Sequence, residues 1–515
     1  MRKTTIALAA LGGVLLAGGV WYASLDREAR DVIASMPTTP DVLSWSIPQR
    51  DAAFRAMDRL PVLAQSNELL PSATPLALPA GKPLDIPGVD KFLADQRSAG
   101  IVILQDGKVR FERYGLGFDA KGRWTSFSVA KSFTSTLVGA AIRDGYIKSL
   151  DDKVSQYIPD LRGSAYDDVS VRQLLTMSSG VRWNEDYEDP KADVAQFNVV
   201  APDPGVDATV SYMRKLPRAH PPGPVWHYNT GETNLIGVLV SSATGKPLAQ
   251  YMQEKLWQPA GMEAKATWLK GATGHEIAGC CIQAATRDFA RFGQFVLSDA
   301  GGKTVPADWF AQATTKQNDI GTPGMGYGFQ WWTYDDGSVA AMGIFGQGIF
   351  IDPKRRLVIA SNSNWPRADA GPQPEAREKF YKQVQALIDA GGPLIAHSAT
   401  ATDDDSCGGG GSARISVSAC SSAPSTKFVV MPSRASRDAS VVAGAVFDRS
   451  SKSSPPGSRM LTPRRPQALS AQIAASVSAA ARAGSPAMRM TACGGGMTRS
   501  VQLPKLRPPA PSRLR

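Results

Sequence analysis

The stretch Trp124-Thr-Ser-Phe-Ser-Val-Ala-Lys-Ser-Phe133 decides how the chain is read, because it sets Ser128 and Lys131 at the start of a helical pattern. Phe133, Leu137, Val138, Ala141 and Ile142 then fall on one face, and Gly145 ends the run. A serine at a helix start meets unpaired N–H groups and the positive end of the helix dipole, which stabilise developing negative charge. A lysine three residues on shares its face, and a hydroxyl is a poor nucleophile until a base takes its proton. The spacing alone says little, since average composition produces about one or two Ser-x-x-Lys in a chain of this length. Here it occurs once, and at a helix start.

Upstream, Ile101-Val-Ile-Leu104 and Val109–Tyr114 flank Asp106-Gly107, a strong hairpin signal. Downstream, strand patterns return over 326–332, 338–343, 346–351 and 357–362, with Asp352-Pro353 turning the last pair, and an amphipathic helix closes the body over 375–390. Strands come from both ends and helices mainly from between, and hairpins imply antiparallel pairing. The expected fold is α/β (α+β) over residues 91–392: an antiparallel sheet built from both ends of the domain, flanked by helices, with a helical insertion. Residues 26–90 are Pro-rich and read as an irregular tether wrapping onto it.

The formal net charge of +11 points at first to an anionic partner. Residues 401–515 carry 16 Lys/Arg against 5 Asp/Glu, which accounts for the whole excess. The body is neutral, so its charge gives no support to nucleic-acid binding. The segment 393–515 is rich in Gly, Ser, Ala, Pro and Arg, holds no Trp or Tyr after residue 400, and reads as disordered. At the other end Arg2 and Lys3 precede the uncharged run Ile6–Ala23. Residues 1–25 therefore read as an uncleaved membrane anchor or a cleaved secretory signal, and both place the body outside the cytoplasm with an N-terminal membrane contact. Cys280 and Cys281 read as small buried residues that do not bridge.

Two further segments bear on the chemistry: Trp226-His-Tyr-Asn-Thr-Gly-Glu-Thr-Asn and Ala341-Met-Gly-Ile-Phe-Gly-Gln-Gly-Ile-Phe-Ile-Asp-Pro. With the Ser128 segment, in this order, they resemble the serine β-lactamase-related family of class C β-lactamases, D-alanyl-D-alanine carboxypeptidases, esterases and 6-aminohexanoate-dimer hydrolases. The resemblance spans about 90–390 and extends to Leu150-Asp-Asp-Lys-Val-Ser-Gln-Tyr-Ile-Pro-Asp, Val171-Arg-Gln-Leu-Leu-Thr-Met-Ser-Ser-Gly, Leu256-Trp-Gln-Pro-Ala-Gly-Met and Arg287-Asp-Phe-Ala-Arg-Phe-Gly. It implies Ser128 as the acylated nucleophile, Lys131 as its partner, and Tyr228 of the Y-x-N motif as general base. A phenol near pKa 10 must come down toward 7 for that task, about 4 kcal/mol, which an ammonium such as Lys131 would supply.

The family pattern is broken at two places. Thr230 stands at the Y-x-N asparagine, and Ala341 at the lysine of K-T-G, whose glycine persists as Gly343. That lysine usually serves a substrate carboxylate, so its loss turns the expectation from β-lactamase or carboxypeptidase activity toward hydrolysis of an ester or linear amide. The Gly-Ile-Phe-Gly-Gln form and Glu185-Asp-Tyr-Glu-Asp-Pro resemble the 6-aminohexanoate-dimer hydrolases and their esterase relatives. The backbone N–H groups of Ser128 and Ile344 are then the implied oxyanion hole, each donor worth on the order of 3 kcal/mol. Thr230, Gly343, Asp186 and Tyr187 are expected to line the substrate site. The altered motifs also leave open a non-catalytic sensor on the same scaffold.

Other chemistries find no motif: there is no G-x-S-x-G elbow, His275-Glu-Ile-Ala-Gly lacks a second histidine, and Gly302-Lys-Thr has Leu297 where a P-loop needs glycine. The implied partner is a small ester or amide, with no cofactor or metal.

Overall fold

The computed structural model describes residues 12–13, 16–25, 30, 33–60, 63, 65–298 and 302–391. The segment 393–515, and residues 6–11, 14 and 15 of the apolar run toward the N-terminus, lie outside them. Among the described residues no helix is long and apolar enough to cross a membrane.

Among the described residues, twelve strands follow in chain order: β1 (Ser66–Leu69), β2 (Ser98–Gln105), β3 (Lys108–Tyr114), β4 (Trp124–Thr125), β5 (Ala266–Leu269), β6 (Ile282–Ala284), β7 (Asn318–Asp319), β8 (Met325–Tyr327), β9 (Trp332–Tyr334), β10 (Val339–Gly343), β11 (Gln347–Asp352) and β12 (Leu357–Ser363). The main sheet has eight strands in the order β3-β2-β12-β11-β10-β9-β8-β7 and is antiparallel throughout. The N-terminal hairpin β2–β3 therefore pairs with the last strand, β12, as the two-ended sheet requires. Its turn is two residues, Asp106 and Gly107, both at positive φ, so the backbone twist matches that of the strands.

The unbroken apolar run of β2 is buried on both faces. Val102 and Leu104 pack with Val358, Ala360 and Ile349 beneath the helices Ala130–Arg143 and Thr286–Ser298. Ile101 and Ile103 point the other way, against Phe380, Tyr381, Val384 and Ile388 of the closing helix Gln373–Ala390. Phe133 and Phe292 stack at 3.7 Å between ring centroids, which fixes the Ala130–Arg143 helix to its neighbour.

Three local expectations change. Residues 26–90 are not simply an irregular tether. They supply the helix Ile47–Ala53, whose capping box joins Ser46 and Gln49, and strand β1. Strand β1 joins a second, four-stranded sheet, β1-β5-β6-β4. The run 326–332 is not one strand: Gln330 takes φ +63° and makes a hairpin of β8 and β9. Its side chain is buried, accepting from Thr233 and donating to the carbonyls of Leu174 and Leu175, so tertiary hydrogen bonds override the local strand pattern. Cys280 and Cys281 are joined as a vicinal disulfide, with Cys281 in left-handed backbone at φ +74°.

Asp288 and Arg291, three residues apart in the Arg287–Gly293 segment, are both buried. Asp288 accepts the backbone N–H groups of Glu263 and Ala264 at 2.8 and 2.9 Å and pairs with Arg291 at 2.9 Å. Replacing Asp288 by Ala strands two N–H groups and half of a buried ion pair. It is expected to lower the unfolding free energy by about 3–5 kcal/mol; an unchanged midpoint in urea denaturation would refute this account.

Candidate active site

Two helix starts meet at the end of strand β10, inside the main sheet. Ser128 lies in the 3-10 turn Phe127–Val129 that leads into Ala130–Arg143, and Lys131 is in that helix's first turn. Tyr228 precedes Asn229, which caps the helix Thr230–Thr244 by accepting the Glu232 N–H at 3.0 Å. The turn after β10, Gly343-Ile344-Phe345-Gly346, closes the third side.

Lys131 is 2% exposed, and its ammonium makes three contacts: Ser128 Oγ at 3.2 Å, Thr230 Oγ1 at 2.9 Å and the Gly279 carbonyl at 3.0 Å. Burial lowers its pKa to about 8, against a smaller upward pull from Glu185. Near neutrality a usable fraction of the amine is therefore uncharged and able to accept the Ser128 proton. Ser128 itself stays partly exposed, open to a substrate.

The Tyr228 ring lies 5.2 Å from the Lys131 ammonium and is enclosed by Trp332, stacked at 5.6 Å, together with Trp226 and Tyr327. The expectation that Lys131 draws this phenol toward ionisation is corrected. Burial, and then the Glu185 carboxylate, push its pKa well above the ordinary tyrosine value, while a hydrogen bond with Ser128 opposes them only in part. This direction runs against the fall that a tyrosine base would need. His227, one residue earlier, turns away to the Trp183 carbonyl at 2.9 Å.

Glu185 is the residue that sequence reasoning passed over. Its carboxylate accepts the Thr230 N–H at 2.9 Å, the Tyr187 hydroxyl at 2.8 Å, the Thr230 hydroxyl and the Trp183 indole N–H. Lys131, Thr230 and Glu185 thus form one chain of contacts. The signal available was alternation: in an extended stretch Glu185 and Tyr187 share a side while Asp186 faces the opposite way. Tyr187 joins the cluster as expected. Asp186 does not, being exposed and occupied with the Glu188 N–H at 2.9 Å.

Gly343 sits against Ser128. A β-carbon there would lie 2.7 Å from the Ser126 carbonyl oxygen and 3.0 Å from the Ser128 nitrogen, so only glycine lets β10 approach this closely. Ile344, the next residue, consequently lies beside Ser128. Buried Gln347 holds the turn from within, donating to the carbonyls of Ile344, Phe345 and Ser363 and accepting from Asn362 and the Ser363 N–H. Ala341 is buried in β10 and offers no charge to a substrate. Among the described residues no group of three or more His, Cys, Asp or Glu could hold a metal ion.

A family model described as Beta-lactamase matches residues 89–382. The chain belongs to the β-lactamase family. The 6-aminohexanoate-dimer hydrolase of Paenarthrobacter ureafaciens is 28% identical over 363 residues, which covers 65% of this chain and 91% of that protein. A β-lactamase of Pseudomonas fluorescens is 29% identical over 184 residues, 34% of this chain and 48% of that protein. A solved structure from Bacillus anthracis, named as a 6-aminohexanoate-dimer hydrolase, superposes with a TM-score of 0.60 at 23% identity, covering 68% of this chain and 99% of that one; at this identity the likeness is one of fold. With this membership the chain is a serine hydrolase.

An amine accepts a proton only when uncharged, so kcat/KM for an activated ester should rise with pH through about 8, where Lys131 loses its proton. Glu185 raises the Lys131 pKa, so Glu185→Gln should move that limb to lower pH. A pH–rate profile that leaves the limb in place would separate Glu185 from Lys131.

Proposed function

We propose that this serine hydrolase cleaves linear amides or short esters through an acyl-enzyme on Ser128. The uncharged Lys131 amine, 3.2 Å from Ser128 Oγ, takes its proton as Oγ adds to the substrate carbonyl. The oxyanion that forms is met by the backbone N–H groups of Ser128 and Ile344. As the carbonyl carbon's bond to the leaving nitrogen or oxygen breaks, the neutral Tyr228 phenol gives that atom a proton and recovers one through Lys131. Water then attacks the acyl carbon, the same groups move its proton, and Ser128 is released. The observation that carries this reading is the buried, depressed lysine between Ser128 and Thr230.

Substrate class rests on what faces the serine. The rings of Trp226, Tyr228 and Trp332, backed by the buried Tyr327, suit a flat or aliphatic chain. Ala341 leaves β10 without the cation that would hold an adjacent carboxylate. Both features, and the likeness to a protein named 6-aminohexanoate-dimer hydrolase, favour a linear ω-amino-acid amide over a β-lactam or a D-alanyl peptide. The run Ile6–Ala23 behind Arg2 and Lys3 supports an extracytoplasmic location with the body held at the membrane. Cell fractionation tests that point separately.

A panel of nitrophenyl esters, linear ω-amino-acid amides and a chromogenic cephalosporin tests the reading. The first two are expected to turn over repeatedly and the cephalosporin poorly. Ser128→Ala should lose at least about a thousandfold in kcat. Retained turnover in that variant would overturn the assignment of the nucleophile, and a single acylation without turnover would indicate a sensor.

A further inference from the structure

The arm Trp45–Leu60 precedes the matched family segment, yet it reaches the back of the site. Phe54 follows the helix Ile47–Ala53 and is fully buried. Its ring lies 5.0 Å from Phe127 and 5.6 Å from Phe345, which are 5.5 Å from each other, so the three rings form one triangle. Phe127 immediately precedes Ser128, and Phe345 immediately follows Ile344. Both take left-handed backbone, φ +41° and +59°, which a phenylalanine adopts only when its surroundings hold it there. The Phe54 carbonyl also accepts the Thr125 N–H at 3.1 Å, tying the arm to the strand that leads to Ser128.

Arg50, one helical turn earlier, secures the other side. It is 5% exposed, and its guanidinium sits 4.4 Å from the Phe345 ring centroid. Its donors go to the Asn364 side chain at 2.8 Å and to the carbonyls of Trp45 at 2.7 Å, and Trp365 and Pro366 at 3.0 Å. Trp365 in turn donates its N–H to the Phe345 carbonyl at 3.1 Å, and the Phe345 N–H goes to Ala368 at 2.7 Å. The planar fork thus fixes the segment that fixes Phe345.

We propose that Phe54 and Arg50 are positioning residues for the oxyanion hole: the arm clamps the two left-handed phenylalanines so that the Ser128 and Ile344 N–H groups converge on one point. This rests on the proposed reading of those two amides. Donors that are aimed in advance stabilise charge in the transition state rather than the bound substrate. Loosening the clamp therefore lowers kcat and leaves KM.

The test compares Phe54→Ala, Phe54→Leu and Arg50→Lys with Ile388→Ala, a core truncation under the closing helix far from this triangle. Hydrolysis of a nitrophenyl ester gives kcat and KM, inhibition by a phenylboronic acid reports affinity for a tetrahedral anion, and thermal unfolding reports stability. Phe54→Ala should lower kcat and boronate affinity together, by about tenfold, short of the loss of a whole oxyanion donor. KM should stay within about twofold, Phe54→Leu should recover most of the loss, and Ile388→Ala should keep kcat although destabilised. Arg50→Lys keeps the charge but not the fork. It should show the same split, and it decides the matter if Phe54→Ala does not fold. Full kcat in Phe54→Ala or Arg50→Lys, or a loss matched by Ile388→Ala, overturns the proposal while an inactive Ser128→Ala leaves the nucleophile standing. Turnover in Ser128→Ala overturns both.

Discussion

A lysine side chain enclosed to 2% exposure, with a hydroxyl, a second hydroxyl and a carbonyl around its nitrogen, constrains everything near it. An ammonium gives up hydration on burial, and no carboxylate touches this one directly. Its nearest anion, Glu185, acts through Thr230. The result is an amine that holds its proton less tightly than a free lysine does. Three separate parts of the chain must agree for that environment to exist: the helix that carries Lys131, the helix start at Thr230 and the turn at Gly279. Thr134 and Asn234 stitch the same parts together by hydrogen bonds to Ala278, Gly279 and Thr230.

Charge placement around Lys131 also explains why the departures from the family motifs leave a working site. Thr230 replaces an asparagine, yet its hydroxyl links Lys131 to Glu185, and Glu185 gathers Trp183 and Tyr187 as well. Ala341 removes a cation from β10 without disturbing the strand, because a small apolar side chain suits its buried position. The first change keeps a hydrogen-bonded link from Lys131 to Glu185, and the second leaves β10 without a charge at that position.

The side of the site proposed to hold the oxyanion is built of backbone rather than side chains, and backbone geometry of this kind is costly. Each left-handed phenylalanine stores about 1–3 kcal/mol of strain. Gly343 removes the steric barrier to close approach, Gln347 ties the turn from inside, and Arg50 and Phe54 press from outside. Strain of this size persists only where surrounding contacts over-determine it, and here they come from both ends of the chain.

Local pattern was enough for much of the molecule. The apolar run of β2, the Asp106-Gly107 turn, the helix behind Ser128 and the neutral body are each written in residues a few positions apart. That Ser128, Lys131, Tyr228, Thr230 and Gly343 lie near one another was legible because their segments retain order and spacing. Tertiary structure alone decided the rest. It broke the strand at Gln330, brought Phe54 and β1 from the apparent tether into the fold, and selected Glu185 over Asp186. It also reversed the expected pKa shift of Tyr228, since burial and a carboxylate outweigh a nearby ammonium. The reason is common to all of these. Spacing along the chain sets which side a residue faces, whereas burial, dielectric surroundings and the company of distant charges exist only once the chain is folded.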